Sequence, residues 1–299
     1  MDNNDSSEQR ATGSPAGRAA NSTRSRAFEL AVTDGRRIHG CVDAPTGAAE
    51  HPVLICLHGF RAHHEWGFFP DFAARAVAEG WCVMRISFSG SGVLPGDDEI
   101  TDRVAFAQDT YGKQLEDLEA LHAALDAGTF PEANPTRWSI LGHSRGSGIG
   151  LIHAAERGDA RAFVGWAQIT TPGSWNDETK ARWRAAGVHR VPHGRSGGHL
   201  ELGTEILHDL ERQAARYDLL ARAAELGCPA LFVHGDRDIA ISAEEGRTIF
   251  DALPTSTRRF VVIERTGHTF GVRHPMDRVP EAYLRLAEES LRFLAEHGR

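Results

Sequence analysis

Ser144 stands in the run Gly142-His143-Ser144-Arg145-Gly146, behind the apolar stretch Trp138-Ser139-Ile140-Leu141 and ahead of a segment with helical character. A serine at a tight strand-to-helix turn projects its hydroxyl above the sheet. Glycines two positions to either side remove the Cβ atoms that would collide where strand and helix close up. Backbone N–H groups at the helix start then face the charge that develops on an attacked carbonyl. Nucleophilic attack on an acyl carbon is the chemistry such an arrangement serves.

A serine hydroxyl is a poor nucleophile near neutral pH until a base takes its proton. Of the 16 histidines, His268 lies in Arg265-Thr266-Gly267-His268-Thr269, between the last expected strand and the last expected helix. That places it above the same edge of a sheet as Ser144. The acid that orients it belongs on the loop after the preceding strand, Leu231-Phe232-Val233-His234-Gly235-Asp236-Arg237-Asp238. Asp236 follows the glycine directly and suits closure of the turn by its own side chain. Asp238, further round, reaches back over the sheet and is the expected partner of His268.

The other half of the site is expected at His58-Gly59-Phe60. Gly59 lets the chain turn sharply, so that the Phe60 N–H, with the Arg145 N–H, faces the substrate oxygen. Loss of one such donor removes about 3 kcal/mol of transition-state stabilisation. His58 is expected to brace this loop. His63 and His64 are adjacent on one loop, a poor arrangement for chelating one ion, and no metal or cofactor is expected.

The elements that must position these residues follow from the apolar pattern. Residues 27–43 read as a hairpin about Thr33-Asp34-Gly35. Residues 52–57 (PVLICL) form an uninterrupted apolar run, the mark of a strand covered on both faces. Helical spacing over 68–79, stopped by Gly80, is followed by a strand over 81–87 and a long amphipathic helix over 108–125. Strands over 138–141, 162–169, 229–233 and 259–263 and helices over 147–156 and 282–297 complete a mostly parallel, doubly covered α/β sheet. About 60 residues between 170 and 228 break the rhythm and read as a helical cap insertion. Trp175 and Trp183 there are candidates for an apolar substrate pocket or for the cap's own core. Arg182, Arg184, Arg190 and Arg195 could meet an acidic substrate or lie on a solvated face.

Composition narrows the classes. A net charge of −8 and a pI near 6.0 lack the basic excess that nucleic acid requires. No apolar run approaches the roughly 18 residues of a membrane span. Residues 1–26 lack the apolar core of a secretory signal and read as a flexible tail, which leaves 27–299 as one domain and a cytoplasmic location as the expectation. The four cysteines, Cys41, Cys56, Cys82 and Cys228, show no paired spacing and read as reduced, buried thiols. The arginines, scattered rather than clustered, read as solvated surface.

Taken together and in order, His58-Gly59-Phe60, Gly142-His143-Ser144-Arg145-Gly146, His234-Gly235-Asp236-Arg237-Asp238 and Gly267-His268 resemble the α/β-hydrolase superfamily, over nearly all of the chain from residue 27. The nearest branch by resemblance is the dienelactone-hydrolase-like and prolyl-oligopeptidase-like one, on the His-Gly-Phe start and on Ser87-Phe88-Ser89-Gly90-Ser91-Gly92. The resemblance implies hydrolysis of a carboxylic ester or related acyl bond in a small molecule, through an acyl-enzyme and without a cofactor. Two departures matter. Dienelactone hydrolases carry a cysteine nucleophile where this chain has Ser144, and there is no room for the propeller of prolyl oligopeptidases. A stand-alone serine esterase is therefore expected, with a peptidase or amidase, or a non-catalytic receptor on the same fold, as alternatives.

Overall fold

The computed structural model describes residues 23–173, 175–193, 197–254 and 256–299. Along the chain run β1 (Thr23–Ala31), β2 (Arg37–Pro45), β3 (His51–Leu57), α1 (Phe69–Ala78), β4 (Cys82–Ser87), α2 (Arg103–Ala107), α3 (Tyr111–Asp126), β5 (Ala133–His143), α4 (Arg145–Arg157) and β6 (Phe163–Trp166). They continue as α5 (Asp177–Ala186), β7 (Val188–Pro192), β8 (His199–Gly203), α6 (Glu205–Arg212), α7 (Leu219–Glu225), β9 (Ala230–Gly235), α8 (Ala243–Ala252), β10 (Arg258–Ile263) and α9 (Glu281–His297).

Eight strands form one sheet in the order β1-β2-β4-β3-β5-β6-β9-β10. The β1–β2 and β2–β4 pairings are antiparallel and every later pairing is parallel. Alternation along each strand feeds two cores. In β3, Ile55 and Leu57 join the core that holds Leu118 and Leu121 of α3 and Ile149 and Ile152 of α4. Leu54 and Cys56 point the other way, into the core of Phe68, Phe69 and Phe72 with Tyr283 and Leu286 of α9. Both faces are thus apolar, which is why PVLICL carries no polar alternation.

Several boundaries differ from the sequence expectation. Residues 23–26, expected to belong to the flexible tail, are part of β1, paired from Thr23↔Pro45 onward; the rest of the expected tail, 1–22, lies outside the described residues. The helix expected over 108–125 begins at Tyr111, because Thr110 is extended and its hydroxyl accepts the Lys113 N–H at 3.2 Å. A short α2, capped by Asp102, precedes it. α8, not anticipated from the sequence, starts with a Ser242/Glu245 capping box.

The insertion is not purely helical. α5 is followed by an antiparallel β7–β8 hairpin, and the helical run expected over 205–226 is broken into α6 and α7, the second capped by Asp218. Leu200 and Leu202 alternate inward along β8, which lets a short hairpin bury an apolar face. Its ends are tied to the body by Arg61 Nη1 donating to the Pro192 carbonyl at 2.7 Å and Arg103 Nη1 to the His199 carbonyl at 3.3 Å.

The four cysteines are free, and Cys41 is only half-buried. Arg85 is not on the surface as read from the sequence. It is 4% exposed in β4, between Asp43 at 2.7 Å and Glu65 at 2.9 Å. Among the described residues, no helix is long and apolar enough to cross a membrane.

Candidate active site

Ser144 sits between β5 and α4 with φ 56° and ψ −119°, a backbone conformation that is strained for any residue with a Cβ. The close approach that enforces it is measurable. A Cβ on Gly142 would lie 2.3 Å from the Gly146 carbonyl oxygen, and one on Gly146 would lie 2.5 Å from the carbonyl oxygens of Leu57 and His58. The Ser144 N–H donates to the Trp166 carbonyl at 2.8 Å, and its own carbonyl accepts from the Ser147 hydroxyl at 2.6 Å. The turn is therefore held at both ends.

His268 lies on the loop after β10, and its Nδ1 is 2.8 Å from Asp238 Oδ2. The Asp238 side chain is wholly covered, and Oδ1 accepts the Ala240 and Ile241 N–H groups at 2.9 and 3.0 Å. Burial alone would raise its pKa; hydrogen bonds from His268 and from these amides outweigh burial and hold it below the usual carboxylate range. A carboxylate can only accept, so Nδ1 carries a proton, and the lone pair of the neutral ring falls on Nε2. Asp236 serves elsewhere: it accepts the Thr266 N–H at 3.1 Å, tying its turn to the loop that bears His268. Amide hydrogen bonds from Arg265 and Thr266 lower its pKa.

Ser144, His268, Gly59 and Phe60 line one open cavity of about 310 Å³. A Cβ on Gly59 would lie 3.2 Å from Ser144 Cβ, so this loop passes directly beside the serine. Among hydrogen bonds of the described residues, the His268 ring makes one, to Asp238; the serine hydroxyl and the ring share the cavity without a direct bond. Such contacts are often long before a substrate binds.

The Arg145 N–H opens α4 and is one of the first-turn donors that a helix leaves without an intrahelical acceptor. Its side chain is buried, unlike a solvated arginine. The guanidinium lies 3.3 Å from Asp109 and 4.3 Å from the centre of the Phe60 ring. The side chain of Arg145 thus packs on the ring of Phe60, so the two residues whose amides were expected to face the substrate are in contact. Burial raises the Asp109 carboxyl to about 6. His58 Nδ1–H donates to the Gly59 carbonyl at 2.8 Å and its Nε2 accepts the Phe88 N–H at 3.2 Å. With both ring nitrogens engaged and burial lowering it to about 3, His58 braces the loop.

The two cap tryptophans do not line this cavity. Trp183 is 1% exposed, meets Trp175 edge-to-face at 5.0 Å and stacks on His189 at 4.9 Å. They form the cap's own core, since a 10-residue helix whose sole buried residue is Trp183 needs that ring as its anchor. The apolar wall is instead Trp66, Val93, Ile100 and Leu200. Arg182 and Arg190 pair with Glu178 and Glu201 at 2.9 and 3.1 Å, and Arg184 pairs with Glu211, all on exposed faces. Arg195 lies outside the described residues. Trp66 was missed by sequence reasoning, although its place six residues after Phe60 put it within reach of the same loop.

Two groups bring metal-ligand atoms together: His63, Asp98 and His274, and Cys41, His64 and Glu65. In the first, the Gly67 N–H donates to His274 Nδ1 at 2.9 Å, so Nε2 carries the proton and directs it at Asp98. A ligating imidazole must present a lone pair there and donate from its other nitrogen. In the second, burial pushes the Cys41 thiol up to about 11, and its Sγ donates to Glu65 Oε1 at 3.5 Å.

A mostly parallel eight-stranded sheet covered on both faces, with a strained serine after β5, is the α/β-hydrolase fold, and the chain has it. No protein-family model and no curated protein sequence matches the chain. Solved structures do. DcsB, solved with its substrate analogue, is 16% identical with a TM-score of 0.70, over 91% of this chain and 99% of that one. Est1E from Butyrivibrio proteoclasticus, solved with ferulic acid, is 19% identical with a TM-score of 0.65, over 90% and 98%. Dienelactone hydrolase from Anabaena variabilis is 16% identical with a TM-score of 0.59, over 93% and 99%.

Proposed function

We propose that this protein is a serine hydrolase that cleaves a carboxylic ester, or a related acyl bond, of a small molecule. The observation that carries the reading is the pairing of His268 with a fully covered Asp238, over a cavity shared with a serine in a strained turn. Ser144 Oγ attacks the acyl carbonyl while His268 Nε2 takes its proton, and Asp238 stabilises the imidazolium. The Phe60 and Arg145 N–H groups receive the oxyanion. The imidazolium then protonates the leaving alcohol, and an acyl-Ser144 ester remains. Water, deprotonated by the same nitrogen, attacks that ester and releases the acid. Two structural neighbours are esterases by name, which supports the ester reading. A cavity of about 310 Å³ suits a compact acyl group. With an activated short-chain ester the purified protein is expected to give a burst followed by turnover, and an organophosphonate is expected to label Ser144. No turnover together with an unlabelled Ser144 would sink this reading.

A further inference from the structure

His143, the residue before the serine, has no part in the steps above, yet it touches both the loop that carries Phe60 and the loop that carries His268. It is the last residue of β5 and is 5% exposed. Its Nε2 lies 2.9 Å from the main-chain carbonyl oxygen of His268, 125 positions away in the chain. A carbonyl cannot donate, so Nε2 carries the proton. On the other edge, a Cβ on Gly59 would lie 3.1 Å from His143 Nδ1, so the ring packs against the loop bearing Phe60. Phe68 meets it edge-on at 5.1 Å, and Trp66 lies nearly parallel to it at 6.5 Å.

We propose that His143 is a positioning residue for the base: its Nε2–H, donated to the His268 carbonyl, latches the loop that carries the base to the strand end that carries the nucleophile. The His268 ring is held from one side by Asp238 and its backbone from the other by His143, so Nε2 of His268 has a fixed direction into the cavity. The inference rests on the reading of Ser144 and His268 as nucleophile and base. Neutrality is part of the device. The two imidazoles are 4.8 Å apart, and His268 becomes a cation in each proton transfer, so a charged His143 would oppose that step. Burial, aided by the neighbouring His268, pushes His143 down to about 3 and keeps it neutral. The acid that acts on it is Asp238, which His268 already occupies, and His234 acts with His268 to keep it neutral. A leucine would fill the same space but leave the His268 carbonyl unsatisfied and the loop free to shift.

The test is in two parts on the full chain. Nitrogen-15 NMR of the histidine rings, assigned with His143→Gln, is expected to show His143 in the Nε2–H tautomer and unprotonated from pH 8 to pH 5. An Nδ1–H tautomer, or a protonated ring at pH 6, overturns the proposal whatever the activity. In kinetics, His143→Gln retains an N–H at the end of a chain of similar reach and is expected to stay close to wild type. His143→Leu is expected to lose about 100-fold in kcat at unchanged KM, the cost of a misplaced catalytic group. Equal loss in both variants, per site labelled by phosphonate, overturns it. If His143→Leu does not fold, the glutamine variant and the NMR still decide. Turnover surviving in Ser144→Ala would remove the nucleophile assignment, while the tautomer result would stand on its own.

Discussion

The two aspartates on the loop after β9 are two residues apart and have different tasks. Asp238 meets the imidazole and two amides, whereas Asp236 closes on the Thr266 amide. Asp238→Asn replaces an acceptor with a group that can donate to Nδ1 and so favours the wrong tautomer. It is expected to lower kcat by about ten-thousand-fold, with the protein still folded by circular dichroism. Asp236→Asn retains an oxygen for the Thr266 N–H and is expected to leave turnover nearly intact. Equal losses in the two variants would show that the base is oriented by something else. Behind the loop that bears Phe60, Asp109→Asn removes the partner of a buried guanidinium. A loss of about 3–5 kcal/mol in urea unfolding at pH 7.5 is expected.

At the scale of elements, the packing of α4 on β3 and β5 leaves no space for a methyl group at Gly146. Gly146→Ala is expected to abolish phosphonate labelling of Ser144, because the turn must open to admit the Cβ. The cap supplies a second comparison. Trp183→Ala is expected to cost about 3–5 kcal/mol of stability and leave KM for a short ester unchanged, since the ring is cap core. Trp66→Ala is expected to move KM, since that ring faces the cavity. These same elements show what the sequence carries openly. An unbroken apolar run such as PVLICL announces a covered strand, and Gly-His-Ser-Arg-Gly between strand and helix announces its turn. The cap was harder to read. Its hairpin rests on two buried leucines, Leu200 and Leu202, too short a pattern to separate from a helix. The assignment of Trp175 and Trp183 depended on which way α5 faces, which no local pattern encodes. Arg85 and Arg145 escaped notice because burial of an arginine depends on acids that are distant in sequence, Asp43 and Asp109.

Over the whole molecule, buried ionisable groups set the response to pH. Burial lowers His58, His64 and His143 to about 3 and His122 to about 4. In the unfolded chain these rings take protons near pH 6.5. Their contribution is therefore complete above pH 6.5 and is lost as pH falls from there toward 3–4. Asp109 and Asp117, raised by burial to about 6 and about 7, act with the opposite sign: they favour the fold when protonated and lose that advantage as pH rises from about 4 to 7. The histidines outnumber the acids, so Tm is expected to fall between pH 7 and pH 5 in thermal melts. A Tm that rises over that interval would show that the rings are protonated in the native state.

The path of the chain between β6 and β9 separates what is obligatory from what is free. The two strands are parallel neighbours, so the chain must leave one end of the sheet and return to the other, and α7 is the segment that makes this return. Everything from Thr170 to Tyr217 is an excursion made before that crossing, and it contributes Leu200 to the cavity but none of Ser144, Asp238 or His268. The excursion closes one side of the cavity, while Trp66, Val93 and Ile100 of its wall, like Ser144 and His268, belong to the body of the fold. A change of length or sequence in the excursion therefore alters one wall of the cavity without moving the strand ends that carry Ser144, Asp238 and His268.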